Sequence, residues 1–367
     1  LEFDEDFILD GEIRLIGQSQ IIPTHTGVSN VVGLGKIFRD QQTTVPNIYR
    51  YHYWTSPVST IGTSNYTIKD VMKDGSNDIT FNTVFSGADS STNPITLSSY
   101  WLYKYINSPN NVNSWTSIDE NSSLNAVEGF TMKSGVVANK SYTFIGTPND
   151  GEYTSTISED NNSLLGNPYP SALDADQFIF DNISTIDGTI YFYEAGSSES
   201  HFTGDEGGYA SYNLSGGVGT GLGTQSTEVA NKTPLRYIPV GQGFFVGGNP
   251  GGTITFKNSQ RSFETIAGGN SVFFSKTKNA KTSNNTANFL KIGFDIENTP
   301  STFHRQVLIG FNGNTDAYEN GYDGVMFDKR NTDIALSVSD NTKPFVIIGR
   351  EYFDTDIEIP LTVYVEE

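Results

Sequence analysis

The stretch GTIYFYE, residues 188–194, is about one strand long and is built from Thr, Ile, Tyr and Phe. Those residue types suit a pleated, half-buried strand. Gly, Asn, Asp and Ser cluster on either side of it, and those residues close strands and make turns. The same alternation recurs along the chain in YRYHYW from Tyr49, DITFNTVF from Asp78, YWLYKYI from Tyr100, SYTFIG from Ser141, GQGFFVGG from Gly241 and GTITFKN from Gly252. Helical periodicity is nearly absent. With 37 Gly and 14 Pro as punctuation, the pattern predicts an all-β chain of antiparallel β-sandwich domains rather than alternating βαβ units.

One segment departs from this pattern. SALDADQFIFDN, residues 171–182, reads as a helix, with Ser171 as its cap and Asp174 and Asp176 in its first turn. Carboxylates there satisfy the helix dipole and the exposed amides, which favours a structural reading over general acid–base work. Just upstream, Pro168 and Pro170 fix two φ angles in GNPYPS, so this motif reads as a stiff connector with Tyr169 packed beneath it.

Apolar residues vanish over residues 274–288, FSKTKNAKTSNNTAN. The expected organisation is a large jelly-roll-like sandwich over residues 1–275, a polar linker at 276–287, and a small Ig-like sandwich over 288–367. The 367 residues suffice for a core in each. Both ends read as strand-like, as if cut from a longer chain, and residues 1–10 carry no signal-peptide pattern.

Charge and composition narrow the partners. Lys plus Arg number 22 against 42 Asp plus Glu, a net charge of -20, which repels nucleic acid and anionic lipid and favours divalent cations. The absence of cysteine removes disulfides, thiolate metal sites and cysteine nucleophiles. No apolar run approaches the ~20 residues that cross a bilayer as a helix. His25, His52, His201 and His304 are scattered, outside any zinc spacing. Gly217, Gly219, Gly221 and Gly223 alternate without the spacing or lysine of a phosphate loop. No G-x-S-x-G elbow is present. The aromatic share of 13% allows rings displayed to sugar faces, with rings filling a sandwich core as the alternative.

One cation motif stands out in NGNTDAYENGYD, residues 312–323. Asn312, Asn314 and Asp316 occupy the first, third and fifth places of a twelve-residue loop, Tyr318 offers a carbonyl, and Asn320 and Asp323 stand ninth and twelfth. These hard oxygen donors point to Ca2+. Ala317 replaces the usual turn glycine and the last ligand is Asp rather than Glu, so the alternative is a polar turn bonded to its own backbone.

Several phrases together carry a family resemblance: LDGEIRLIGQSQII, GKIFRDQQ, YRYHYWTSPV, GFTMKSG, LLGNPYPSALDADQFI, YIPVGQGFFV and ITFKNSQRSF, then RQVLIGFNGNTDAYENGYDG and FVIIGREYFDTDIEIPLTVYV. In this order they resemble the C-terminal regions of large surface proteins exported by the type IX secretion system, including gliding-motility adhesins of the Bacteroidota. The resemblance implies secretion, display at the outer-membrane cell surface, the secretion machinery as a partner, and an adhesive or structural role without catalysis. It implies a sorting domain beyond residue 367, and surface glycans or other cell-surface proteins as adhesion targets. It supplies no catalytic residues. The alternative is a carbohydrate-binding module of a secreted polysaccharide-degrading enzyme, with a glycosidase third.

Overall fold

A computed structural model of the chain describes residues 1–3, 6–42, 48–135, 141–196, 200–202, 207–220, 232–272, 274, 288–298 and 301–365. The expected linker at 276–287 lies outside the described residues. The fold is all-β, with most strand pairs antiparallel.

The first sheet contains β1 (Glu12–Leu15), β2 (Lys36–Gln42), β3 (Met72–Asp74) and β4 (Ser141–Pro148), with β4 between β3 and β2. The β1–β2 pair is parallel, with Ile13 opposite Ile37, and the β2–β4 pair is antiparallel, with Phe38 opposite Ile145. A smaller sheet of Tyr51–Trp54, Phe130–Lys133, Tyr103–Lys104 and Thr116–Ser117 lies beside it. Ile37, Trp54, Leu97, Phe130 and Phe144 bury themselves in one cluster here.

The second sheet is built on β5 (Asn161–Gly166), β6 (Ile186–Glu194), β7 (Gly208–Asn213), β8 (Gly216–Val218) and β9 (Gly243–Gly248), in the order β5-β9-β6-β7-β8. Strand β6 contains the GTIYFYE stretch, and its period of two sorts the side chains onto two faces. Ile190 and Phe192, with Phe244 and Val246 of β9, enter a core shared with the helix α1 (Ala175–Asn182). Tyr191 and Tyr193, with Phe245, enter an aromatic cluster on the other face, roofed by Tyr53, Trp115 and Phe327. Both faces are covered, which is why GFFVGG is buried at every position. The described residues up to 274 therefore form two core clusters, one around Trp54 and one around Phe178, with the aromatic cluster separate from both.

The helix starts later than residue 171. Ala172–Asp174 instead forms a short strand paired with Tyr237–Ile238 and Arg261–Ser262, so cross-strand bonds win over helix propensity there. Asp174, rather than Ser171, is the N-cap and accepts from the amides of Asp176 and Gln177. A four-residue helix, Ile68–Val71, capped by the Thr67 side chain, is too short to leave a helical period in the sequence.

The C-terminal sheet comprises β10 (Phe289–Asn298), β11 (Ser301–Phe311), β12 (Asp333–Val338), β13 (Asn341–Arg350) and β14 (Leu361–Tyr364), ordered β10-β11-β13-β12-β14. Its β11–β13 pair is parallel. Val307, Ile309, Leu336, Phe345 and Ile347 form its core, into which Val218 of β8 also packs. Close backbone contact ties this sheet to the second: Leu214 N–H donates to Gly321 O at 2.8 Å and Gly321 N–H to Asp187 O at 2.9 Å. Gly188 and Gly321 both have positive φ, and a Cβ on Gly188 would lie 2.4 Å from the Gly321 Cα. Only glycine fits that crossing. Among the described residues no helix is long and apolar enough to cross a membrane.

Candidate functional site

The loop over 312–323 divides its six candidate donors among several partners. Asp323 is buried; its carboxylate accepts from Glu319 N–H at 2.8 Å and Gly349 N–H at 2.9 Å, and burial pushes its pKa up to about 6. Asp316 is 78% exposed, with an oxygen 3.5 Å from Arg350 Nε. Asn320 turns away and exchanges hydrogen bonds with the Asn249 side chain and carbonyl at 3.0 and 3.1 Å. The Tyr318 amide donates to Asp340 at 2.7 Å, and Asn312 Nδ2 donates to Ser215 Oγ at 3.0 Å. Asn312 Oδ1 and Asn314 Nδ2 are buried without a partner. Asp316 and Asp323 thus both reach Arg350, while Asn312 and Asn320 clasp the second sheet. Among the described residues no three His, Cys, Asp or Glu side chains gather to hold a metal ion.

The paired carboxylates of the helix segment are fully engaged. Asp174 caps α1 and takes a bidentate contact from Arg236 at 2.9 and 2.7 Å, while Asp176 accepts from Tyr212 Oη at 2.8 Å. Tyr169 is buried, donates to Gly151 O at 2.7 Å and lies under the Arg261 guanidinium. The four histidines stay apart: His25 bonds Asp150, His201 bonds Asp89, His304 bonds Asp295, and His52 is buried, which lowers its pKa to about 3. In the glycine-rich stretch, Gly217 and Gly219 pack against residues 232–234, whereas Gly221 and Gly223 lie outside the described residues.

The surface feature that most resembles a contact site is aromatic. Phe85, Tyr100 and Phe202 are 40%, 44% and 64% exposed, and Phe85 lies 5.0 Å from Phe202 and 6.4 Å from Tyr100, centroid to centroid. They come from three separate segments, held from beneath by Trp101 and His201. Trp101 stacks on His201 at 5.3 Å and 17°, and its Nε1 donates to Phe85 O at 2.7 Å. The Lys133 ammonium lies 4.0 Å from the Trp101 ring centre and donates to His201 O at 2.9 Å. His201 Nε2 is 2.7 Å from Asp89 Oδ1. The three outer rings pack on this layer, with Tyr100 4.7 Å and Phe202 5.4 Å from Trp101 and Phe85 5.7 Å from His201. Sequence reasoning placed Tyr100 in YWLYKYI and Phe85 at the end of DITFNTVF, both as strand-like stretches, and missed Phe202. The available signal was Phe202 itself, a lone large apolar residue in the polar run SSESHFTGDEGG.

The chain belongs to the family described as a domain of unknown function (DUF8693), whose model matches residues 10–367. No curated protein and no solved structure matches the chain.

Proposed function

We propose that this chain is a non-enzymatic adhesive module of a cell-surface protein exported by the type IX secretion system, and that Phe85, Tyr100 and Phe202 form its contact surface. The observation that carries this reading is the exposed three-ring patch on a buried layer. Exposed rings attract the apolar face of a sugar or an apolar partner side chain, and each ring contributes about 0.5–1.5 kcal/mol in a packed contact. The acidic surface suits a protein that must stay soluble while steering away from anionic lipid. Export and surface display rest on the sequence resemblance.

The same patch favours a second reading, a carbohydrate-binding module of a polysaccharide-degrading enzyme. A glycan array with the full chain separates the two from each other. Selective, saturable binding to one plant or algal polysaccharide supports the module, and binding to host or bacterial surface glycans or to whole cells supports the adhesin. Changing Phe85, Tyr100 and Phe202 together to Ala is expected to weaken either interaction about tenfold or more, from the summed ring contributions. Unchanged binding in that variant removes the patch as the contact surface, and hydrolysis of any polysaccharide removes the non-enzymatic reading.

A further inference from the structure

A second region is more unusual electrostatically. On β2 the inward positions run Ile37, Arg39, Gln41, so that core-facing residues change from aliphatic to polar along one strand. Arg39 is 4% and Gln41 3% exposed, and both line a cleft of about 370 Å³ with Gln18, Gln42, Ser141 and Glu264. The cleft lies where the first sheet meets the loops around Val240 and Ile266.

Arg39 Nη1 donates to Gly17 O at 2.9 Å and to Asp40 O, and Nε is buried without a partner. Among the described residues no carboxylate oxygen comes within ion-pair distance of this guanidinium. The carboxylate of Asp40 is committed to the opposite face, to Arg14 at 2.9 Å and Thr143 at 2.6 Å. Two other deeply buried arginines differ: Arg305 pairs with Asp333 at 2.8 Å and Arg261 with Asp150 at 3.5 Å. A buried cation with no carboxylate in contact, and only the nearby charge of Asp40 to favour it, is costly, which leaves room for a ligand to supply a contacting charge. Gln41 makes no side-chain hydrogen bond among the described residues, and neither of its amide atoms is among the buried unpaired ones, so the amide opens on the cleft.

We infer that this cleft binds a hydroxylated carboxylate the size of one sugar residue, a uronic acid unit, with the carboxylate on Arg39 and the hydroxyls on Gln41 and the rim amides. Asp40 and Glu264 also line the cleft, so a carboxylate with one negative charge on the Arg39 fork meets less repulsion there than a phosphate with nearly two. Gln41, Gln18, Gln42 and Ser141 both donate and accept, as hydroxyl partners require. This site is separate from the aromatic patch, and its success or failure leaves that reading untouched.

The test is calorimetric titration of the full chain with sodium D-glucuronate and D-galacturonate, beside glucose, acetate and inorganic phosphate. Binding of a uronate with no measurable binding of glucose is expected. Arg39→Gln, shown folded by circular dichroism, should reduce the uronate affinity at least tenfold. Gln41→Leu should weaken it several-fold and serves in place of Arg39→Gln if that variant does not fold. No uronate binding, equal binding of acetate or glucose, tighter binding of phosphate, or full affinity in both variants would overturn the assignment.

Discussion

Asp187 sits where the second sheet meets the C-terminal sheet, and its substitution by Asn should stabilise the protein at neutral and alkaline pH. Its carboxylate accepts from Thr189 N–H at 2.9 Å and from Tyr191 Oη at 3.3 Å, and its carbonyl accepts from Gly321 N–H. Tyr191, Tyr318 and the more distant Lys343 are the titratable groups that face it. Lys343 is itself paired with Asp160 at 3.3 Å. Burial therefore dominates and raises the Asp187 pKa from 3.8 to about 7. A carboxyl raised in the folded state contributes stability that is complete below its unfolded pKa, near 4, and is lost as the pH rises through about 7. The ceiling on that loss is ~4 kcal/mol. Because the residue is only half-buried by surface, solvent screening reduces the expected value to ~1–2 kcal/mol. Asp323, raised to about 6, acts in the same direction. The asparagine amide of the variant would keep the acceptor for Thr189 and carry no charge. Calorimetric melts of the parent and Asp187→Asn at pH 5 and pH 8 provide the measurement. The variant should melt a few degrees higher than the parent at pH 8 and close to it at pH 5. A lower melting temperature at pH 8, or an equal pH 5-to-8 difference in both proteins, refutes the reasoning.

Arg305→Ala leaves Asp333 buried and uncompensated, and chemical denaturation should show a loss of about 3–5 kcal/mol. Asp174→Ala removes the cap of α1 and should cost about 1 kcal/mol; the partner Arg236 is half-exposed, so loss of the ion pair adds little. Gly151→Ala meets the Ser29 amide at 2.4 Å with φ at +83°, and should lower the melting temperature by more than the ~1 kcal/mol of an ordinary glycine replacement. Calcium at loop 312–323 is a proposal with a structural cost, since Asn320 would have to leave Asn249 and Asp323 the amides of Glu319 and Gly349. A melting temperature raised by millimolar calcium, and no longer raised in Asp316→Ala, would support it; no rise removes it.

Strand identity was legible because side-chain alternation is local. In GTIYFYE the residues 190 and 192 face one core and 191 and 193 another, and that assignment needs nothing beyond a period of two. Pairing direction was not legible. The parallel β1–β2 and β11–β13 pairs carry no crossover helix to announce them, and residue types do not distinguish a parallel ladder from an antiparallel one. The start of α1 was misplaced for a related reason. Ser171 is a good cap in isolation, but its hydroxyl accepts from Arg261 Nε, 90 positions away. Tertiary contacts of that kind leave no trace in a local window.

The candidate sites follow the same division between local and distant information. The aromatic patch joins residues 85, 100 and 202, so its existence depends on chain reversals that no motif encodes. The cleft at Arg39 is different, since its anomaly is written within a single strand of seven residues. KIFRDQQ alternates as a strand, and once Ile37 is placed inward, Arg39 and Gln41 must point inward too. A charged and an amide side chain at core positions conflict with burial unless partners meet them. The structure supplies a partner for Arg305 and for Arg261, but among the described residues no carboxylate for Arg39, so the conflict persists on a strand that opens on a cleft. Local rules that a fold otherwise obeys are broken where binding requires it, and this break therefore weighs more as a site than the spacing of oxygen donors at 312–323, where Asn320 and Asp323 are already bonded to protein groups.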